Sequence, residues 1–397
     1  MLSDIPIEIL AGTLPDINSS IGEPFNDTAC GLLTDLSAML MRNKEAKQQA
    51  DVIAFAFWCR KSQIARLKED YVDKYTRMGR GTAFHVCPSN VPVNAFYSFA
   101  FGLLAGNRNI VRLPSKGSMS IDIILKALND LLSEKKYCDL ARSNVFIRYD
   151  STTEATLKLS ALCDARIIWG GDNTIAKIRK SPIPARTHEI TFADRYSFAV
   201  IDAASVGRLT ESDLKKLAVA FFNDTLQMDQ NACSSPHLII WLNGTEREAK
   251  TRFWHALKNY TEQRYALEST QSVDRYTRML SGFITGPDQH LLTNLAESIQ
   301  RVHLQYLPAD VDRMRGVYGL FYEYDAVDVS EVAHIVNKKY QTLTYYGLDT
   351  KVLSEFVTKN RLSGIDRIVP IGDALNIDTI WDGHDVLREL TRIIDVR

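Results

Sequence analysis

Cys233 stands in the segment Asp229-Gln230-Asn231-Ala232-Cys233-Ser234-Ser235-Pro236, between an expected helix and an expected buried strand. A thiolate on such a loop of small and polar residues can reach a carbonyl or thioester carbon and attack it. A small residue filling a turn accounts for the same cysteine, and the segment alone supports either reading. A second segment, Cys87-Pro88-Ser89-Asn90-Val91-Pro92, joins a strand to an apolar helix. The Asn90 amide N–H would stabilise an oxyanion, or Asn90 would cap the helix; the two roles are compatible. A third, Gly106 to Lys116, ends a strand in a basic, hydroxyl-bearing loop. Arg112 and Ser115 there carry donors for ribose hydroxyls or a phosphate, and a solvated loop charge is the alternative. In the fourth, Trp169-Gly170-Gly171-Asp172, two glycines at a strand-to-helix junction would let a phosphate approach free N–H groups; a plain tight turn is the alternative.

The elements that must carry these segments follow from periodicity. Asn26, Asp27 and Thr28 predict the cap of a helix to about Arg42, and a second helix is expected from Lys44 to about Asp70. From Thr82 short apolar runs alternate with helical patterns. Strands are expected at 83–87, 109–113, 144–148 and 165–169, with helices at 91–106, 118–135 and 152–162 and a short one to about Arg179. A strand at 197–202, a helix at 205–222 and a strand at 236–242 continue the pattern. Beyond them come a helix at about 245–260, strands near 302–307, 317–324 and 341–345, and a helix near 329–337. Such alternation predicts an α/β fold with parallel sheets covered by helices on both faces.

Composition narrows the function classes. A net charge of −1 gives no reason to expect nucleic acid or an anionic membrane as partner. The six cysteines form no C-x-x-C pair and no regular framework, which fits a reducing, cytoplasmic setting. Neither a basic, apolar leader nor a run of about 18 apolar residues occurs, so neither secretion nor a membrane span is expected. No G-x-G-x-x-G joins a strand to a helix, and no Walker loop, H-E-x-x-H or EF-hand loop is present; no metal is expected. His85, on an apolar strand, reads as a satisfied core histidine.

Taken in order, the four segments resemble the aldehyde dehydrogenase superfamily, with its P-W-N, K-P-S-E, G-S and cysteine-loop motifs. Pro88-Ser89-Asn90, Arg112-Leu113-Pro114-Ser115, Gly171-Asp172 and Cys233 match them in turn, with Arg in place of Lys. Within it the chain is most similar to the bacterial luminescence-type fatty acyl-CoA reductases. This rests on Asn109-Ile110-Val111-Arg112, Trp169-Gly170-Gly171, Phe192 to Phe198, Asp229 to Cys233, Gly364 to Val369 and Asp382 to Asp385.

The resemblance implies an aldehyde-dehydrogenase-like fold of two α/β domains. A Rossmann-like nucleotide-binding domain with N-terminal helices is expected over 1–204, and a catalytic domain carrying the cysteine over 205–360. A C-terminal segment, 361–397, would pack back on the cofactor domain or form an oligomer interface. It further implies a covalent Cys233 thioester with Asn90 as oxyanion donor, and a cofactor held by Pro88, Ser89, Arg112, Ser115, Gly170, Gly171 and Asp172. Arg112 favours NADPH, with NADH open. Acyl-CoA, or an acyl group bound to a carrier or enzyme and delivered by an acyl-protein synthetase, would be the substrate of a homo-oligomer.

Hydrolytic superfamily members carry a glutamate where Thr191 aligns here, with Glu189 two residues away; their second glutamate falls near Gly316. Without the first there is no base to activate water, which suits a reductase that must not hydrolyse its acyl-enzyme. The competing expectations are an oxidative NAD(P)-dependent aldehyde dehydrogenase and a silent structural homologue.

Overall fold

Asn26 accepts a hydrogen bond from the Ala29 N–H at 2.9 Å, and this cap starts the helix Asp27–Arg42. Its apolar stripe, including Leu32, Leu33, Leu36 and Leu40, is fully buried. A computed structural model of the chain describes residues 7–16, 19–72, 74–88, 91–150, 154–244, 246–285, 289–296 and 298–397. The long helix expected from Lys44 is instead a short 3-10 turn, Ala46–Gln48, and two helices, Ala50–Trp58 and Lys61–Tyr71. Unbroken, it would carry Ile64 about 80° around the axis from Ala56. The break at Cys59 and the extended Arg60 resets the phase, so both Ala56 and Ile64 are buried.

The chain divides into two units, residues 1–193 with 377–397, and residues 194–376. Unit 1 holds a six-stranded sheet ordered Glu8–Gly12, Asn144–Arg148, Arg108–Arg112, Thr82–Val86, Ala165–Trp169, His188–Phe192. The first strand is antiparallel and the rest are parallel. Of the parallel strands the chain lays down Thr82–Val86 first and then builds two to one side. It returns to add Ala165–Trp169 and His188–Phe192 on the other. This reversal makes a topological switch point between Thr82–Val86 and Ala165–Trp169, the place where open α/β sheets bind ligands at their carboxyl ends.

Unit 2 holds a seven-stranded sheet ordered Gln289–Ala296, Ile299–Leu304, Leu320–Ala326, Pro236–Leu242, Tyr196–Asp202, Tyr340–Tyr346, Arg367–Pro370. Only the first edge pair is antiparallel. Helices Glu211–Asp224 and Arg247–Thr261 cover one face, with Phe221, Phe253 and Trp254 buried against Ile239 and Trp241.

The boundary between units lies at 193/194, ahead of the expected 204/205, because Tyr196–Asp202 pairs on both sides with strands of the second sheet. The C-terminal return begins at 377 rather than 361. Residues 367–370 are still an edge strand of unit 2, while Thr391–Ile394 pairs with Thr76–Gly79 in unit 1. The helix expected over 205–222 is two, Ala203–Gly207 and Glu211–Asp224, the second capped anew by Thr210. The segment 329–337 forms a 3-10 helix over Val329–Ile335.

Candidate active site

In unit 2 the helix Glu211–Asp224 and the turn Leu226–Met228 deliver the chain to the cysteine loop, which ends where Pro236–Leu242 begins. Asp229 and Gln230 both have left-handed backbone, with φ of 53° and 58°. Two adjacent non-glycine residues in that region carry strain and need outside support. Asp229 receives it from the Tyr265 hydroxyl, which donates to its carboxylate, and from Gln271 Nε2 at 3.5 Å. Gln230 is buried; its Oε1 accepts from Gly319 N at 2.9 Å, and its Nε2 donates to the carbonyls of Leu320 at 3.1 Å and Pro236 at 3.5 Å. One carboxamide therefore ties together the amino ends of two neighbouring strands. Beyond it Cys233 is half-buried, and its carbonyl accepts a hydrogen bond from Ser197 Oγ at 2.7 Å.

His237 lies four residues on, stacked on Tyr196 with ring centroids 5.3 Å apart and hydrogen-bonded through Nδ1 to the Gly316 carbonyl at 2.8 Å. Burial pushes its pKa down to about 3, so it is neutral and part of the scaffold.

In unit 1 the carboxyl ends of the strands lie in register, with Arg112 beside Val86 and Val86 beside Ile168. Pro88 follows one of these strands, Ser115 the next, and Gly170-Gly171 the third. Six of the expected cofactor residues, Pro88, Arg112, Ser115, Gly170, Gly171 and Asp172, thus share the carboxyl edge around the switch point. Ser89 and Asn90 lie outside the described residues. Gly171 caps the helix Asp172–Arg179, and a Cβ there would meet nothing within 4 Å. Arg112 places its guanidinium carbon 5.4 Å from the Tyr149 ring centroid, while its Nε is buried with no hydrogen-bond partner among the described residues. A buried unpaired donor and an open helix start on the same carboxyl edge are each suited to a phosphate or ribose oxygen. Residues and ligand class therefore fit a nucleotide.

Trp169, just before the glycines, stacks on Phe192 with centroids 3.7 Å apart. Its Nε1 donates to Ser98 Oγ at 3.0 Å, and Ser98 lies 2.7 Å from His85 Nδ1. His85 Nε2 is 3.0 Å from Asn109 Oδ1, and Asn109 Nδ2 donates to Asn144 Oδ1 at 2.7 Å. Since Asn109 Nδ2 is the donor on that side, its Oδ1 accepts from His85. Nε2 therefore carries the proton and Nδ1 accepts from Ser98. Burial lowers the His85 pKa to about 4, in keeping with this neutral ring. The histidine is a satisfied core group; its partners, scattered through the sequence, were invisible to motif reading.

Thr191 occupies the strand His188–Phe192. Glu189, the neighbouring carboxylate, is engaged by Arg166 and by Arg179 Nε at 2.7 Å. Burial works against its charge, yet those hydrogen bonds hold its pKa below the ordinary carboxylate value. At Gly316 a Cβ would lie 1.9 Å from the Leu320 carbonyl oxygen, so no side chain fits there. Among the described residues no group of histidine, cysteine and carboxylate side chains could hold a metal, and no helix is long and apolar enough to cross a membrane.

A family model described as acyl-CoA reductase (LuxC) matches residues 63–393. No curated protein matches. Solved structures of aldehyde dehydrogenases share the fold. Indole-3-acetaldehyde dehydrogenase in complex with NAD+ is 11% identical with a TM-score of 0.67, covering 92% of this chain and 83% of that one. A 1-pyrroline-5-carboxylate dehydrogenase mutant from Thermus thermophilus is 15% identical with a TM-score of 0.62, covering 92% and 80%. Glyceraldehyde-3-phosphate dehydrogenase GapN from Methanocaldococcus jannaschii, complexed with NADP, is 11% identical with a TM-score of 0.62, covering 92% and 88%.

Proposed function

The chain belongs to the acyl-CoA reductase (LuxC) family, and from that premise we propose that it reduces an acyl thioester to an aldehyde through a covalent acyl group on Cys233. The observation that carries this reading is the braced loop bearing Cys233, with left-handed residues held by Tyr265 and Gln230. The Cys233 thiolate attacks the acyl carbon, and the thiolate of the donor leaves with its electron pair. Asn90 and the Cys233 backbone N–H stabilise the tetrahedral oxyanion, one such donor contributing about 10²–10³-fold in rate. A reduced nicotinamide, when bound, supplies the hydride that the acyl-enzyme accepts. The resulting thiohemiacetal anion on Cys233 re-forms its C=O bond, and the C–S bond breaks to release the aldehyde and restore the thiolate.

Pro88, Ser89, Arg112, Ser115, Gly170, Gly171 and Asp172 are the residues we assign to the nicotinamide cofactor. The orphaned Arg112 Nε supports NADPH over NADH, because a fixed guanidinium matches a 2′-phosphate. The lack of a glutamate at the two aligned positions supports the reductive direction. Thr191 stands at one glutamate position, no side chain fits at Gly316, and Glu189 is committed to two arginines. The acyl donor is CoA, or a carrier or enzyme charged by an acyl-protein synthetase.

The test follows loss of reduced nicotinamide absorbance with a series of acyl-CoA thioesters and identifies the product. Aldehyde formation from acyl-CoA is the expected result. Free acid formed from aldehyde and oxidised cofactor would overturn the reading in favour of an oxidative dehydrogenase.

A further inference from the structure

Ser197 begins with a disturbance in the sheet. Tyr196–Asp202 pairs with Pro236–Leu242 on one side and Tyr340–Tyr346 on the other, and both ladders slip register near their amino ends. The slips fall between Ser197 and Phe198 in the first ladder and between Tyr340 and Leu343 in the second. Such interruptions leave backbone groups without ladder partners and re-aim local side chains. Here the fully buried Ser197 hydroxyl makes good the loss. It accepts the Thr342 N–H at 3.2 Å and donates to the Cys233 carbonyl at 2.7 Å.

A hydroxyl has one proton to give, and the Thr342 N–H on its acceptor side leaves that proton for Cys233. The bond fixes the plane of the peptide that follows Cys233. It thereby restrains the rotation about the Cys233 Cα–C bond and the direction in which the side chain leaves the backbone. Upstream the loop is fixed by Gln230; downstream it enters the strand at Pro236. Between these anchors the Ser197 bond reaches the backbone of Cys233 itself.

We propose that Ser197 is a positioning residue for Cys233, setting the orientation of the thiol for attack without touching the substrate. The proposal rests on the reading of Cys233 as the nucleophile. Cys233 is half-buried while Ser197 is fully buried, so removal of one hydroxyl would loosen the loop without opening it. A nucleophile misplaced by about 1 Å loses on the order of 10²-fold in rate.

The test is Ser197→Ala in the full chain, a change that removes one oxygen and adds no bulk. Four quantities are read: kcat and KM with acyl-CoA, the thermal midpoint, and the rate at which iodoacetamide alkylates Cys233 across pH. Peptide mass spectrometry follows Cys233 against the exposed Cys138 of the same chain. The expected result is kcat reduced about 10²-fold with KM little changed. The Cys233 to Cys138 alkylation ratio should change at temperatures where the variant is fully folded. An unchanged ratio together with wild-type kcat overturns the proposal, as does a loss of activity that disappears once the assay is run well below the variant's melting point. Cys233→Ala is run in parallel. Turnover retained in that variant defeats the nucleophile reading itself, whereas the alkylation ratio still reports whether Ser197 orients the thiol.

Discussion

The carboxylate of Glu189 lies 2.7 Å from Arg166 Nε, and Arg166 is 2% exposed. The pair joins two neighbouring strands, Ala165–Trp169 and His188–Phe192. Arg179 holds the other carboxylate oxygen at 2.7 Å. Replacing Glu189 by Gln leaves a buried guanidinium without its counter-charge, which costs about 3–5 kcal/mol. Denaturant unfolding should show that loss, while kcat measured on folded protein stays near wild type. A selective collapse of kcat would instead make Glu189 a chemical participant.

On the proposed mechanism Cys233→Ala is expected to abolish aldehyde formation, because the covalent step requires that thiolate. The expected companion is intact dinucleotide binding, since the assigned cofactor residues lie in unit 1. Burst-phase release of CoA by the parent chain, absent in the variant, measures the acylation step directly.

Arg112→Leu should raise the KM for NADPH roughly tenfold to a hundredfold, the range for losing a hydrogen bond to a charged group, and leave NADH nearly unchanged. Equal effects on the two cofactors would assign Arg112 to the shared part of the dinucleotide.

Gly316→Glu, which would place a carboxylate near the aligned position of the second glutamate of hydrolytic superfamily members, should unfold the protein before it alters the chemistry. The Cβ alone would sit 1.9 Å from the Leu320 carbonyl oxygen. Displacing that backbone also strains the Gln230 carboxamide, which donates to the same oxygen. A destabilisation of about 3 kcal/mol or more is expected in thermal or denaturant unfolding.

Asp224 makes stability depend on pH. Its carboxylate accepts from Gly372 N at 2.6 Å and Ala374 N at 3.0 Å, close to where the chain leaves unit 2. Burial nonetheless pushes its pKa up to about 7. A folded-state pKa above the unfolded one stabilises the protein at low pH. That contribution is complete below the unfolded pKa and is lost as pH rises through about 7. Between the two values the folded state binds one more proton, so stability falls with pH by about 1.4 kcal/mol per unit from this group. Asp224→Asn should flatten that slope in unfolding experiments at several pH values.

Local chemistry made much of the molecule legible in the amino-acid order. Asn26 capped its helix as its side chain dictates, and the apolar runs at 165–169 and 236–242 became buried strands. The sequence also placed the glycine turn after Trp169 and the cysteine loop before Pro236, because a strand end and a helix start are written within a few residues of each other. It failed where spacing is long. The helix break at Cys59 and Arg60 carries no glycine or proline, and only the need to keep one stripe facing the core explains it.

The unit boundary was decided by which sheet Tyr196–Asp202 joins, a choice between partners far apart in the chain. The network from Asn144 through His85 to Trp169 gathers residues from four strands and a helix, and no periodicity encodes such a gathering. For the same reason Cys233 could be proposed from its neighbours, while Ser197, whose hydroxyl bonds its carbonyl from 36 residues away, came into view only once the strands had paired.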